Sequence, residues 1–180
     1  IIDFSIRLNS EFKDFVGFNQ NITLSAGISF AKPRSPAVTA VKIADELLEE
    51  SKETVLKGRK TGRNQVTIFQ KTLDWEALAL CIEQGNRLVE WVNQGTLTRA
   101  DLWKLKTYDR MFQSFYQEGN TEGLKYKAFI AYDLGRKDKE NKGNDEVRRW
   151  YEGLWELTNP VLINLGVVVD YALCSVREEI

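Results

Sequence analysis

Residues 22–30 read Ile22-Thr23-Leu24-Ser25-Ala26-Gly27-Ile28-Ser29-Phe30, with apolar and small polar side chains in strict alternation. That period of two predicts a half-buried β-strand. Upstream, Ile1, Phe4, Leu8, Phe12 and Phe15 recur at helical spacing, and 17–21 reads as a turn. The chain opens on Ile1 rather than an initiator Met and is already helical there, as expected of a piece of a longer protein. Downstream, Lys32-Pro33-Arg34-Ser35-Pro36 ends the strand. A second helix is predicted over 37–56, with Ala40, Val41, Ala44, Leu48 and Val55 on one face. Its acids Asp45, Glu46, Glu49 and Glu50 precede Lys52 and Lys57, an order that partly suits the helix dipole. Residues 57–64 form a basic, Gly-containing turn, and Gln65-Val66-Thr67-Ile68-Phe69 predicts a second strand. The first 71 residues therefore read helix, strand, helix, strand. Two strands do not make a stable sheet that covers two apolar helix faces, so at least one further strand is expected upstream.

From Leu73 the pattern turns wholly helical. Trp75, Leu78, Ile82, Val89 and Val92 line one face before Gly95 stops the first helix. Thr98 with Asp101 forms a variant capping box, opening a second helix whose buried stripe is Leu102, Leu105, Phe112 and Phe115. A third helix is predicted over 122–134. Residues 135–144 carry Arg136, Lys137, Asp138, Lys139, Glu140 and Lys142 without an apolar side chain, which predicts a mobile surface loop. A fourth helix carries Val147, Trp150, Tyr151, Leu154 and Trp155. Asn159-Pro160 is an N-cap and N1 pair for a last, nearly all-round apolar helix through Val176. The fold class expected is α+β, with a helix-strand-helix-strand segment over 1–71 followed by an all-α five-helix bundle over 72–180.

Composition narrows the chemistry. The 180 residues are 43% hydrophobic and 28% charged, in the ordinary globular range, with 25 basic and 26 acidic residues for a net charge of −1. No general basic field grips nucleic acid, so any such contact must be local. The chain has no histidine, which excludes a Ser-His-Asp triad, a His general base and the usual catalytic zinc sites within these residues. Cys81 and Cys174 lie among apolar neighbours without CxxC spacing, as expected of reduced thiols in a cytoplasmic protein. The most apolar stretch, 160–176, is interrupted by Asn164, Gly166 and Asp170 and is too short to span a bilayer, so a soluble protein is expected.

The residues that could carry chemistry cluster in three places: Ser25 and Gly27 on the strand, Lys52 near the end of the following helix, and Lys60-Thr61-Gly62-Arg63-Asn64 in the basic turn. A small-residue strand face beside clustered cations leaves room for close backbone approach and supplies charge for a polyphosphate. A solvated basic turn is the structural alternative. Trp91, Trp103, Trp150 and Trp155 read chiefly as core side chains, with interface anchoring as the alternative. Lys104, Lys106, Arg110, Lys125 and Lys127 form a modest basic set, either solvated helix surface or a face for RNA or an acidic neighbour.

Order and spacing of these segments resemble the end of the GGDEF-type nucleotide cyclase domain, through "TLSAGIS", "AD.LL..SK" and "KTGRNQV" over about residues 20–69. In that family a helix lysine and the arginine of a Gly-Arg-Asn turn contact nucleotide phosphates. The resemblance implies those roles for Lys52 and Arg63. The insertion of residues 53–61 departs from the usual spacing, and Lys57, Arg59 or Lys60 could stand in for Arg63. The long helical continuation looks more like the large subunit of type III CRISPR effector complexes, in particular the Csm branch (type III-A), where a second ferredoxin-like palm domain precedes a helical C-terminal domain.

The CRISPR resemblance implies a nucleotidyltransferase that joins ATP into cyclic oligoadenylates when target RNA is bound, using Mg or Mn held by Gly-Gly-Asp-Asp aspartates. The 180 residues contain no Gly-Gly-Asp sequence, and without His they cannot hold the family's His-Asp nuclease centre. The chain is then expected to supply one wall of an ATP site, through Ser25, Gly27, Lys52, Lys60 and Arg63, with no catalytic residue or metal ligand of its own. No cofactor is expected to bind it tightly in isolation. Its expected partners are the small helical subunits, guide RNA and target RNA. A diguanylate cyclase, or a non-catalytic scaffold with a degenerate palm, are the other readings.

Overall fold

A computed structural model describes residues 1–31, 34–56, 58–59, 62–139 and 144–176, with the side chains of 138 and 139 left aside. The described residues combine a three-stranded mixed sheet with a majority of helix, an α+β arrangement. The chain divides into two compact units, Ile1–Ala79 and Leu80–Ile180, the division falling inside one helix.

The first unit runs α1 (Ile2–Phe15), β1 (Ala26–Ile28), α2 (Ala37–Glu53), β2 (Gln65–Ile68), β3 (Lys71–Asp74) and the start of α3 (Trp75–Asn93). Strand order is β1-β2-β3, with β1 parallel to β2 and β2 antiparallel to β3. A parallel neighbour requires a crossover, and α2 supplies it. Strand β1 is shorter than the alternation of 22–30 predicts. Its register covers only Ala26↔Val66 to Ile28↔Ile68, and both ends of the alternating run, Ile22 and Phe30, are exposed. Phe30 instead stacks on Phe69, with ring centroids 4.4 Å apart.

Strand β3 overturns the expectation of uninterrupted helix from Leu73. The Ile68↔Lys71 pair closes a two-residue hairpin loop of Phe69 and Gln70, with φ of 50° and 61°. Two successive positive φ values define the tight turn that matches strand twist, but Asn-Gly, its usual sequence mark, is missing. Thr67 and Thr72 share a buried hydroxyl hydrogen bond of 2.9 Å across this hairpin. Asp74 then caps α3, its Oδ1 accepting from the Ala77 N–H at 2.7 Å.

The apolar stripe predicted for α1 does not form a core: Ile1, Phe4, Leu8 and Phe15 are exposed, and Ile2 and Asn9 are the buried residues of the helix. On α2, Val41 is likewise exposed, and the helix ends at Glu53, leaving Val55 outside it and exposed. What α2 does cover is β1. A Cβ on Gly27 would sit 2.3 Å from the Ala44 carbonyl oxygen and 2.4 Å from the Leu48 nitrogen, so glycine is the residue that lets strand and helix backbones meet.

The second unit contains the rest of α3, α4 (Arg99–Glu118), a 3₁₀ turn (Thr121–Lys125), α5 (Tyr126–Lys139), α6 (Asp145–Gly153), α7 (Pro160–Ile163) and α8 (Leu165–Ser175). Helix α4 begins at the Thr98/Asp101 capping box and packs along α8. Leu102, Leu105, Phe112, Leu162, Leu165 and Val168 form its core. Asn159 caps α7, accepting from the Val161 N–H at 2.9 Å. The predicted continuous last helix is divided at Asn164, a buried residue whose Nδ2 donates to the Pro160 carbonyl at 3.0 Å.

The loop predicted over 135–144 is corrected in its first half, because α5 continues through Lys139 and Lys137 forms a largely buried ion pair with Asp101 at 3.0 Å. Positions 140–143 lie outside the described residues. Trp91 is buried, meets Trp150 edge to face at 5.9 Å, and Trp150 Nε1 donates to Gln84 at 2.9 Å. Trp103 and Trp155 are exposed rather than core. Neither Cys81 nor Cys174 is in a disulfide. Among the described residues no helix is long and apolar enough to cross a membrane.

Candidate functional site

Residues 62–65 fold back onto the end of α2. Ser51 is fully buried, its Oγ donating to the Leu48 carbonyl at 2.7 Å, and the chain turns extended at Thr54. A Cβ on Gly62 would lie 2.1 Å from the Lys52 carbonyl oxygen and 3.0 Å from that of Thr54, so the return path of the chain presses directly on the helix terminus. The Arg63 N–H donates to the Ser51 carbonyl at 3.3 Å, and Gln65 Nε2 to that of Thr54 at 2.6 Å. These bonds satisfy carbonyls that the end of a helix leaves without intrahelical partners.

Arg63 and Asn64 are both left-handed, with φ of 74° and 51°. Such backbone is costly for a side chain as large as arginine and needs external support. Arg59 supplies it: its guanidinium donates to the Arg63 and Asn64 carbonyls at 3.4 and 3.2 Å and lies 3.8 Å from Asp74. Arg59 therefore positions the turn, and Arg63 is left exposed.

This turn forms one side of a cleft of about 660 Å³, within the size range of small-molecule sites. The other sides come from the C-terminal half of α1 and the segment 18–24 leading into β1. Among the described residues of the lining, Lys13, Arg59 and Arg63 are cations and none is a carboxylate. Asn9 also lines it; its Oδ1 is buried without a hydrogen-bond partner. Lys13 reaches Glu76 at 3.1 Å, and that hydrogen bond holds the Glu76 carboxyl below its usual range. The arrangement is chemically suited to an oxyanion.

The residues named from sequence are distributed unevenly about this cleft. Arg63 lines it, whereas Ser25, Gly27 and Lys52 do not. Ser25 is half-buried in the lead-in to β1, and Gly27 is occupied by its contact with α2. Lys52 makes an i,i+3 ion pair with Glu49 at 2.7 Å, although its backbone touches Gly62, the neighbour of Arg63. Arg63 is thus held at the end of α2 despite its distance from Lys52 along the sequence. Lys57 and Lys60 lie outside the described residues. Asn9 and Lys13 were not legible as site residues, since nothing local in an amphipathic helix marks which polar side chain will face a cleft.

In the second unit, most of the basic set is used in pairs. Lys104 binds Asp133 at 2.8 Å, Lys106 binds Asp170, and Lys125 binds Glu122 at 3.0 Å. Asp133 also accepts from the Tyr108 hydroxyl. Burial, then that carboxylate, pushes the Tyr108 phenol well above its usual value. Burial alone pushes Tyr126 up to about 12, with its hydroxyl donating to the Leu154 carbonyl at 2.9 Å. Among the described residues no group of three His, Cys, Asp or Glu side chains could hold a metal ion.

No family model matches the chain, and no solved structure matches it. Among curated proteins it is 36% identical, over 75 residues, to the CRISPR system single-strand-specific deoxyribonuclease Cas10/Csm1 (subtype III-A) of Methanocaldococcus jannaschii. The aligned region is 39% of this chain and 9% of that protein. The similarity supports the chain as part of a type III-A large subunit, as the sequence resemblance implies.

Proposed function

We propose that this part of a type III-A large subunit forms one wall of the ATP site at which the intact subunit makes cyclic oligoadenylates for antiviral defence. The similarity to Cas10/Csm1 carries the reading. The local geometry agrees with it: Lys52 ends a helix, and the Arg63 turn returns onto that same helix end. In this reading the chain through β3 is the last part of a ferredoxin-like palm, and the helices that follow form a bundle that docks the small subunits of an assembly holding guide and target RNA.

Lys52 and Arg63, with Lys60 as a third candidate cation, neutralise triphosphate oxygens, while Ser25 lies near the nucleotide. The metal ions, Mg or Mn, and the carboxylates that hold them come from elsewhere in the subunit. They would polarise the reacting phosphoryl group. The chain's own residues bind and orient phosphate.

The test is ATP binding by the intact large subunit carrying Lys52→Ala. The expected loss is at least tenfold, about 1.4 kcal/mol. Equal binding by native and variant subunits would sink the Lys52 assignment. Arg63→Ala with Lys52 intact separates the two cations, and an adenylate rather than guanylate product separates this reading from a diguanylate cyclase.

A further inference from the structure

The three walls of the cleft come from segments far apart in the chain, yet each is bonded to the junction of β3 and α3. Glu76 Oε1 accepts from Lys13 Nζ, in the α1 wall, at 3.1 Å. The Trp75 indole Nε1 donates to the Leu24 carbonyl, in the wall formed by 18–24, at 3.1 Å. Asp74 Oδ2 lies 3.8 Å from the guanidinium of Arg59, the side chain that holds the Arg63 and Asn64 carbonyls. Three consecutive residues thus reach three walls, and none of the three lines the cleft itself.

These three residues have little freedom of their own. Asp74 is fixed twice, by pairing with Gln65 in the β2–β3 ladder and by its Oδ1, which caps α3 on the Ala77 N–H at 2.7 Å. Trp75 is 3% exposed, so its indole is held by packing within the core. A surface ion pair contributes little by itself, but these bonds act on separate walls from one short, rigid base. A displacement of that base moves the anchors of all three walls together. The base is also the end of a helix that runs unbroken to Asn93, past the division between the two units.

We infer that Asp74, Trp75 and Glu76 are positioning residues for the cleft: they set where Lys13, Leu24 and the Arg63 turn stand, and they link the order of the first turn of α3 to occupancy of the cleft by a polyphosphate. This rests on the phosphate-binding reading of Arg63. The alternative role for Asp74 and Glu76 is competition with the ligand for Arg59 and Lys13, and the two roles differ in sign. Removing a competing carboxylate tightens anion binding, whereas removing a support loosens it. Linkage is also reciprocal, so a ligand that touches none of the three residues slows hydrogen exchange in the turn they open.

The experiment is titration of the intact large subunit with ATP, with hydrogen exchange followed by mass spectrometry. ATP is expected to slow exchange of the amides of 77–79 at least about twofold. Trp75→Phe keeps an aromatic ring but removes the bond to Leu24, and should weaken ATP binding about fivefold, the worth of one neutral hydrogen bond. Asp74→Asn keeps an amide oxygen for the Ala77 cap but turns a donor toward Arg59, and should weaken binding about threefold. Its thermal midpoint should move by no more than about 2 °C. If Trp75→Phe fails to fold, Asp74→Asn and exchange in the native subunit decide. Tighter binding in Asp74→Asn overturns the positioning role in favour of competition for Arg59. Unchanged affinity in the variants, or unchanged exchange at 77–79 in the ATP-saturated native subunit, overturns it while leaving phosphate binding by Arg63 in place. Native ATP affinity in Arg63→Ala overturns the phosphate reading, and the positioning role with it.

Discussion

Helix α1 leaves Phe4 67% and Phe15 87% exposed, whereas α4 buries Leu102, Leu105 and Phe112 completely. Both helices announce an apolar stripe at the same spacing. The second unit covers most of its stripe with α8 and the residues around Tyr126, so Leu102, Leu105 and Phe112 are enclosed and Phe115 stays half-buried. The first unit spends its strongest packing elsewhere, on α2 against β1 and on a central strand, β2, buried at every position. Periodicity thus specifies a face that can be covered; which element covers it is a tertiary matter.

The sharpest way to break that contrast is to remove one ring from each side of it. Phe112→Ala should cost about 4 kcal/mol in chemical denaturation, because it opens a cavity against Tyr116 and Tyr126. Phe4→Ala should stay within about 0.5 kcal/mol. Comparable losses in the two variants would mean that α1 is covered after all.

Asp101→Ala is expected to cost about 3 kcal/mol. It removes the carboxylate that accepts from the Thr98 N–H at 2.9 Å and strands the largely buried Lys137. Burial works against the Asp101 charge, but the Thr98 and Lys137 hydrogen bonds outweigh it and hold the carboxyl below its usual value. A folded-state pKa below the unfolded one contributes stability that is complete above about pH 4 and is lost as pH falls through the folded value. Native protein should therefore lose stability on acidification below about pH 4, and Asp101→Ala should lose less over that range.

In the first unit, Gly27→Ala should cost about 2 kcal/mol, since its methyl group would meet the α2 backbone rather than a side chain that can move. A neutral result would show that α2 can lift from β1. The smallest effect has the opposite sign. Gln70→Gly should stabilise the β2–β3 hairpin by about 0.5–1 kcal/mol, because glycine accepts the φ of 61° without strain. Thermal unfolding of native and variant chains measures it.

Much of the local structure was legible before any coordinates. Thr98 and Asp101 marked the start of α4, Asn159-Pro160 that of α7, and the 65–69 run a strand that ends one residue earlier, at Ile68, because each signal is complete within a few neighbouring residues. The hairpin was not, since Phe69-Gln70 lacks the glycine or asparagine that usually advertises positive φ; pairing with β2 imposes that conformation. Of the cleft lining, the Gly-Arg-Asn turn stood out by residue type and spacing, whereas Lys52, which stood out equally, does not line it. The cleft as a whole did not stand out: Asn9, Lys13 and Arg63 come from segments far apart in the chain.

Sequence alone determined the α+β class, the helix starts with complete caps and the absence of histidine chemistry, because these depend on residue type and short-range spacing. It also carried the type III-A resemblance, which rests on ordered motifs rather than on contacts. Only the tertiary structure decided that β1 is three residues long, that Gly27 is filled by α2, and that Arg59 holds the Arg63 turn. It also decided that Trp103 faces outward and Trp91 inward. Each of those outcomes depends on which distant backbone arrives alongside, and a helical or strand period is blind to that.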